Sequence, residues 1–188
     1  MSTLRRIARD EDGQGIMELV IAIAIINVAI MAMFAMFQAG ALSVLRASRT
    51  SNGALVAEKQ AELYRAMLYK DIQLNDSLVT SAASDSAHIA ASEWGSSAVQ
   101  VKSGSCTNTL AECKPVQSSV TGGDGRAYRV DTYIQPVTPS SGRPGKQVTV
   151  IVMLASDTSR VLAKLTSNYD LATGCTTDPT AASASRCT

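Results

Sequence analysis

From Leu19 to Phe37 the chain runs through 19 residues of apolar side chains interrupted by one polar member, Asn27. About 20 apolar residues in a helix cross the hydrocarbon core of a bilayer. A secretory signal has a shorter apolar region that ends at a small-residue cleavage site. Here the run flows into Gln38, Ala39 and Gly40 without an Ala-x-Ala pattern. A core helix apolar on every side is out of proportion to a chain of 188 residues, a length that suits one domain or a small domain with an appendage. The run is read as a transmembrane segment over 16–38, and the rest of the chain has to be arranged around it.

Ahead of it, residues 1–13 are polar, with Arg5, Arg6 and Arg9 followed by Asp10, Glu11 and Asp12. Arginines favour the cytoplasmic side, but Arg46 and Arg49 stand just beyond the run, so charge alone does not fix the orientation. Behind it there is no proline before Pro115, and good helix formers continue to about Ile72. A single helix over 14–72 would reach about 85 Å. Gly40 and Gly53 are its weak points, each costing about 1 kcal/mol relative to alanine and able to permit bending or local melting. Past the apolar run the helix becomes amphipathic. Val56, Gln60, Leu63 and Met67 form one stripe that Tyr64 and Leu68 widen, while Glu58, Lys59, Glu62 and Arg65 turn to solvent. Its first half belongs in lipid or a bundle, and its second half against a sheet.

Residues 73–125 are rich in serine and weakly periodic, and are read as a connecting region with a short strand at Ala98 to Val101. The single tryptophan, Trp94, is read as an anchor of the small core, and the single histidine, His88, as solvent-exposed. Asn75-Asp76-Ser77 matches a glycosylation acceptor and is taken as chance. Residues 126–188 read as β structure. Tyr128, Val130, Thr132 and Ile134 alternate with Arg129, Asp131, Tyr133 and Gln135. A loop runs from Pro136 to Gly145, Lys146 to Ala155 forms a central strand, Asp157-Thr158-Ser159 turns the chain, and Arg160 to Thr166 is the last strand. Short connections predict an antiparallel meander with one face on the amphipathic helix. The fold class is α+β.

All four cysteines, Cys106, Cys113, Cys175 and Cys187, follow the apolar run. Their spacings do not fit a zinc site. An even number beyond a membrane points to two disulfides in an oxidising space, and so to a C-terminus outside. Of the three possible pairings the local ones, Cys106 with Cys113 and Cys175 with Cys187, are favoured over the others and over four free thiols.

The junction of the polar leader with the apolar run reads Gly13-Gln14-Gly15-Ile16-Met17-Glu18-Leu19. It resembles the prepilin cleavage motif of type IV pilins and type II secretion pseudopilins, usually written G-F-T-L-I-E-L. The resemblance implies that a prepilin peptidase cuts between Gly13 and Gln14, removes residues 1–13 as a leader, and methylates the new N-terminus at Gln14. Glu18 then becomes the fifth mature residue, where the family's glutamate is thought to neutralise the terminal amine of a neighbouring subunit. Gln14 in place of phenylalanine and Gly15 in place of threonine depart from the motif. The segment Ala57 to Ile72 is similar to the end of the long helix in minor pilins. The fold implied is pilin-like: a long N-terminal helix, half transmembrane, on a small antiparallel sheet closed by a C-terminal disulfide loop. The partners implied are other pilin subunits in a helical filament, the prepilin peptidase, the pilus assembly platform, and membrane lipid before assembly. The place implied is the cytoplasmic membrane, crossed once, and then a surface or extracellular pilus.

Independently of the resemblance, a carboxylate at the edge of an apolar run is costly in lipid unless paired. Its bland reading is a side chain that reaches the interface from the first turn of a simple anchor. Asn27 can bond between helices or to its own backbone. Enzymatic signals are missing. There is no G-x-S-x-G, Gly122-Gly123-Asp124-Gly125 enters a strand rather than following one, and no metal or cofactor is expected. The net charge of +1 gives no general attraction to DNA. Three functions fit: a minor pilin or pseudopilin subunit, a major pilin, and a single-pass anchored protein with an extracytoplasmic binding module.

Overall fold

The computed structural model describes residues 14–92, 99–138 and 144–170. The chain divides into two compact units, Met1–Ala47 and Ser48–Thr188. Helix α1, Gln14–Arg65, runs through the boundary.

In the first unit α1 is the only described element, and its large apolar side chains are uncovered, from Ile16 at 67% exposure to Phe37 at 77%. The helix is long and apolar enough to cross a membrane. Gly40 does not interrupt it and has no neighbour within 4 Å of an added Cβ.

In the second unit α1 buries Val56, Ala57, Gln60, Ala61 and Tyr64, residues three and four apart on one face. Ala57 and Ala61 join Val56, Gln60 and Tyr64 on the buried face, whereas Leu63 of the expected stripe is half-buried and Leu68, expected to widen it, is exposed. Small residues let the helix come close to the sheet. Gly53 shows how close: a Cβ there would stand 3.1 Å from Cβ of Leu162. Gly53 is thus a packing position in an unbroken helix and not the point of bending that propensity predicts.

The helix stops at Arg65, seven residues before the expected end at Ile72. A 3₁₀ turn at Tyr69–Asp71 follows, and Lys146 Nζ donates to the carbonyls of Tyr69 at 2.7 Å and Ile72 at 2.8 Å. This bend lets Ile72 and Leu74 enter the core, which a continued helix would not.

The sheet is an antiparallel meander in the order β3 (Val116–Thr121), β4 (Ala127–Val137), β5 (Gly145–Leu154), β6 (Asp157–Asp170). Val130 and Ile134 of β4 and Val148, Val150 and Val152 of β5 meet Val56, Ala57 and Tyr64 of α1 in the main core. The molecule is therefore α+β, with the helix on one face of a four-stranded antiparallel sheet. Strand β5 is central and buried on both faces from Val148 to Met153, as its sequence predicts.

Several boundaries differ from the expectation. Strand β4 continues through Pro136, which pairs with Lys146. The β3 pairing ends at Asp131, so Pro136 lies where a proline on an open edge is tolerated. The turn after β5 is Ala155-Ser156, and Asp157 already pairs with Leu154. Strand β6 extends to Asp170, opposite Gly145.

The connecting region is more ordered than its composition predicts. Strands β1 (Leu74–Asn75) and β2 (Lys102–Ser103) pair in parallel. The strand expected at Ala98 to Val101 is displaced to Lys102; Val101 instead donates its amide to the carbonyl of Ile134 at 2.7 Å. Helix α2 (Asp76–Ala82) is capped by Asn75, whose Oδ1 accepts from the Leu78 amide. The Asn75 side-chain nitrogen donates to the Cys106 carbonyl at 2.6 Å, so the asparagine of the acceptor-like triplet is a buried cap. Helix α3 (Ser86–Ala91) is capped by Asp85, which accepts from the amides of Ala87 and His88. Trp94 lies outside the described residues.

Candidate functional site

Gly13 lies outside the described residues, and Gln14 is the first residue of α1. The sequence places Glu18 one turn into that helix, where it is exposed. Among the described residues it has no ion-pair partner. Ile16, Met17 and Leu19, at 61–67% exposure, surround it in sequence. A carboxylate in such a stretch costs about 2.5–3.5 kcal/mol at the bilayer centre, so in lipid it needs a cation or a route to the interface. Asn27 is tied to its own helix: its Nδ2 donates to the Ile23 carbonyl one turn back at 2.9 Å. Glu18 is the one acidic group in the apolar stretch of α1.

Cys106 and Cys113 are joined in a disulfide with Cα atoms 5.7 Å apart. The loop it closes is fastened to α1 by buried polar groups. Tyr64 donates its hydroxyl to the Glu112 carbonyl at 2.7 Å, and Gln60 donates to the Ala111 carbonyl at 3.2 Å while accepting from Gln117 at 3.0 Å. Burial pushes the Tyr64 hydroxyl far above the ordinary tyrosine range. Cys175 and Cys187 lie outside the described residues.

A cluster that sequence reasoning missed occupies the second face of the sheet. His88 is buried and not exposed as expected. Its ring stacks on Tyr133 at 4.3 Å, and its Nδ1 stands 3.4 Å from Oδ2 of Asp131. Arg129 donates to Asp131 at 2.9 Å and to Asp85 at 2.8 Å. Tyr133 donates its hydroxyl to the His88 carbonyl at 2.5 Å. Partial burial alone would raise the Asp85 carboxyl; Arg129 and the His88 and Ala87 amides outweigh it and hold that carboxyl below the usual range. Burial pushes the Tyr133 hydroxyl far up. The strand pattern Arg129-x-Asp131-x-Tyr133 puts all three on one face, which was the available signal. What sequence could not supply was α3 as the partner.

Arg129 joins Asp131 of the sheet to Asp85 at the start of α3, and Tyr133 bonds the His88 carbonyl, so the cluster acts as a clasp holding α3 to the sheet, with the buried His88 Nδ1 beside Asp131 but without a hydrogen-bond partner. Among the described residues no group of three or more His, Cys, Asp or Glu side chains could hold a metal ion. The helix with Glu18 is thus the stronger candidate for function. No family model matches the chain, and no curated protein or solved structure matches it.

Proposed function

We propose that this chain is a structural subunit, and a minor one, of a type IV pilus or a related secretion pseudopilus, and that it is not an enzyme. In this reading a prepilin peptidase removes residues 1–13. The mature chain, starting at Gln14, crosses the cytoplasmic membrane once with its C-terminus outside. An assembly platform then transfers it into a helical filament. The cut creates an α-amine four residues before Glu18, and in the filament the carboxylate of one subunit meets the amine of the next. That pairing satisfies two charges that are costly in an apolar setting and sets the axial stagger between helices. A minor rather than a major subunit is favoured by the sequence that ends the long helix, with its Arg65 and Tyr69.

The observation that carries the reading is the apolar stretch of α1, uncovered by the other described residues, with a carboxylate one turn into the helix at the distance from Gln14 that the motif requires. Lipid covers such a surface before assembly, and the same surface of other copies covers it afterwards. Glu18→Ala tests this. Membrane insertion should be normal and incorporation into sheared filaments lost. Incorporation at the level of the unaltered chain would remove the role assigned to Glu18.

A further inference from the structure

Three segments of the second unit meet at the loop closed by the Cys106–Cys113 bridge. On one side Asn75 donates to the Cys106 carbonyl at 2.6 Å, and Cys106 Sγ stands 3.1 Å from the Gln73 carbonyl. On the other side Cys113 leads through Pro115 into β3, whose Gln117 donates to the Ala111 carbonyl at 3.3 Å. The end of α1 faces the loop with Gln60 and Tyr64. We propose that the bridge is a redox-sensitive latch: oxidised, it holds the end of α1 in place; reduced, it releases that end while the sheet stays folded.

The loop has little of its own to keep it there. Thr107 to Leu110 are exposed, and Leu110, its one large apolar residue, is 47% exposed. Its turn is held by the Leu110 amide on the Thr107 carbonyl and the Cys113 amide on the Leu110 carbonyl, both at 3.2 Å. A short exposed loop of this kind has many open conformations, and a covalent bridge between its ends removes most of them.

What the loop gives α1 is acceptors. Tyr64 donates to the Glu112 carbonyl and Gln60 to the Ala111 carbonyl. Both side chains are buried, Tyr64 down to 0% exposure. If the two carbonyls drift away, enclosed donors lose their acceptors, which costs more than the bonds contributed. The helix end then has to move and let water in. The sheet has no such dependence, because β4, β5 and β6 pair along their lengths without either cysteine.

The latch responds to its compartment. Cytosolic conditions keep thiols of this kind reduced, and an oxidising space joins them. The end of α1 is therefore fastened only where the second unit meets an oxidising space. This inference needs the fold alone and stands or falls apart from the pilus reading.

The test uses the full chain in detergent, carrying Cys175→Ala and Cys187→Ala so that one bridge is open to reduction. The chain is unfolded in urea with dithiothreitol, then refolded with the dithiol kept or replaced by oxidised glutathione. Thiolate attack opens the S–S bond, and the dithiol closes to its cyclic disulfide, leaving two thiols on the protein. Alkylation with iodoacetamide and mass measurement count them. Hydrogen exchange then compares the amides of residues 60–65 in α1 with those of 148–152 in β5. In the reduced chain the first set should exchange at least about tenfold faster, within what a native bridge contributes, and the second set should not change. In Tyr64→Phe, which keeps the bridge and loses one donor, the oxidised and reduced chains should differ less. Equal acceleration in both sets would make the bridge a general brace, and none in either set, with two thiols alkylated, would make it idle. Either result would overturn the proposal, as would an undiminished difference in Tyr64→Phe.

Discussion

Helix α1 carries two surfaces made by two different sequence patterns. From Leu19 to Phe37 it is apolar all round but for Asn27, and none of the described residues covers it. From Gly53 to Tyr64 only one face is apolar, and the sheet covers that face down to 0% exposure at Tyr64. The first pattern is long and apolar enough to cross a membrane. The second is covered by the sheet. Two surfaces of different character are thus separated along one helix.

Substitutions can break that separation, and the largest effect is expected on the sheet's second face. Arg129→Met leaves the fully buried Asp131 without its guanidinium, and losing one partner of a buried pair costs about 3–5 kcal/mol. Urea unfolding of the full chain in detergent, followed by tyrosine near-ultraviolet dichroism, measures it. A loss below about 1 kcal/mol would mean that water already reaches Asp131.

The two glycines give the sharpest contrast. Gly53→Leu drives a side chain into Leu162 and should destabilise the second unit by about 1–3 kcal/mol. Gly40→Leu meets nothing within 4 Å and should leave the same unfolding curve unmoved. Equal effects would merge the two surfaces that the account keeps apart.

Smaller effects come from pH. The Asp85 carboxyl is held below its ordinary value, so its contribution is present above the unfolded value of 3.8 and is lost as pH falls through the lower folded value. The Tyr128 hydroxyl is raised from 10.0 to about 12. The folded chain therefore keeps a proton that the unfolded chain gives up, and stability falls as pH rises from 10 to 12. Urea midpoints across pH 2–12 in the full chain and in Tyr128→Phe separate the two limbs. The alkaline fall should shrink in Tyr128→Phe and the acid fall should stay.

Much of the fold was legible in the sequence because its long elements have strong periods. The apolar run, the helical stripe and the alternation from Tyr128 to Ile134 each repeat often enough to be read. Strand β3 was not legible: its sequence, VQSSVT, is polar, and it is defined by backbone pairing to β4 with a register shift between Gln117 and Val120. Helices α2 and α3 have 7 and 6 residues, too few to show a period, and their signals are the caps Asn75 and Asp85. His88 was misplaced because its neighbours in sequence are small and polar, whereas its cover comes from Tyr133, 45 residues later. Of the candidate site, Glu18 and the Cys106–Cys113 bridge could be found from sequence, since both depend on local spacing. The clasp depends on tertiary pairing and could not.

The central claim is that Gln14 is the mature N-terminus of a chain whose apolar helix is handed from lipid to a filament. Mass spectrometry of the N-terminal peptide of the membrane-extracted protein, with and without the host's prepilin peptidase, tests it most directly. The account predicts a start at Gln14 that depends on the peptidase, with a methyl group on the new terminus. A start at Met1 or Ser2 in both samples would contradict it and leave a signal-anchored membrane protein.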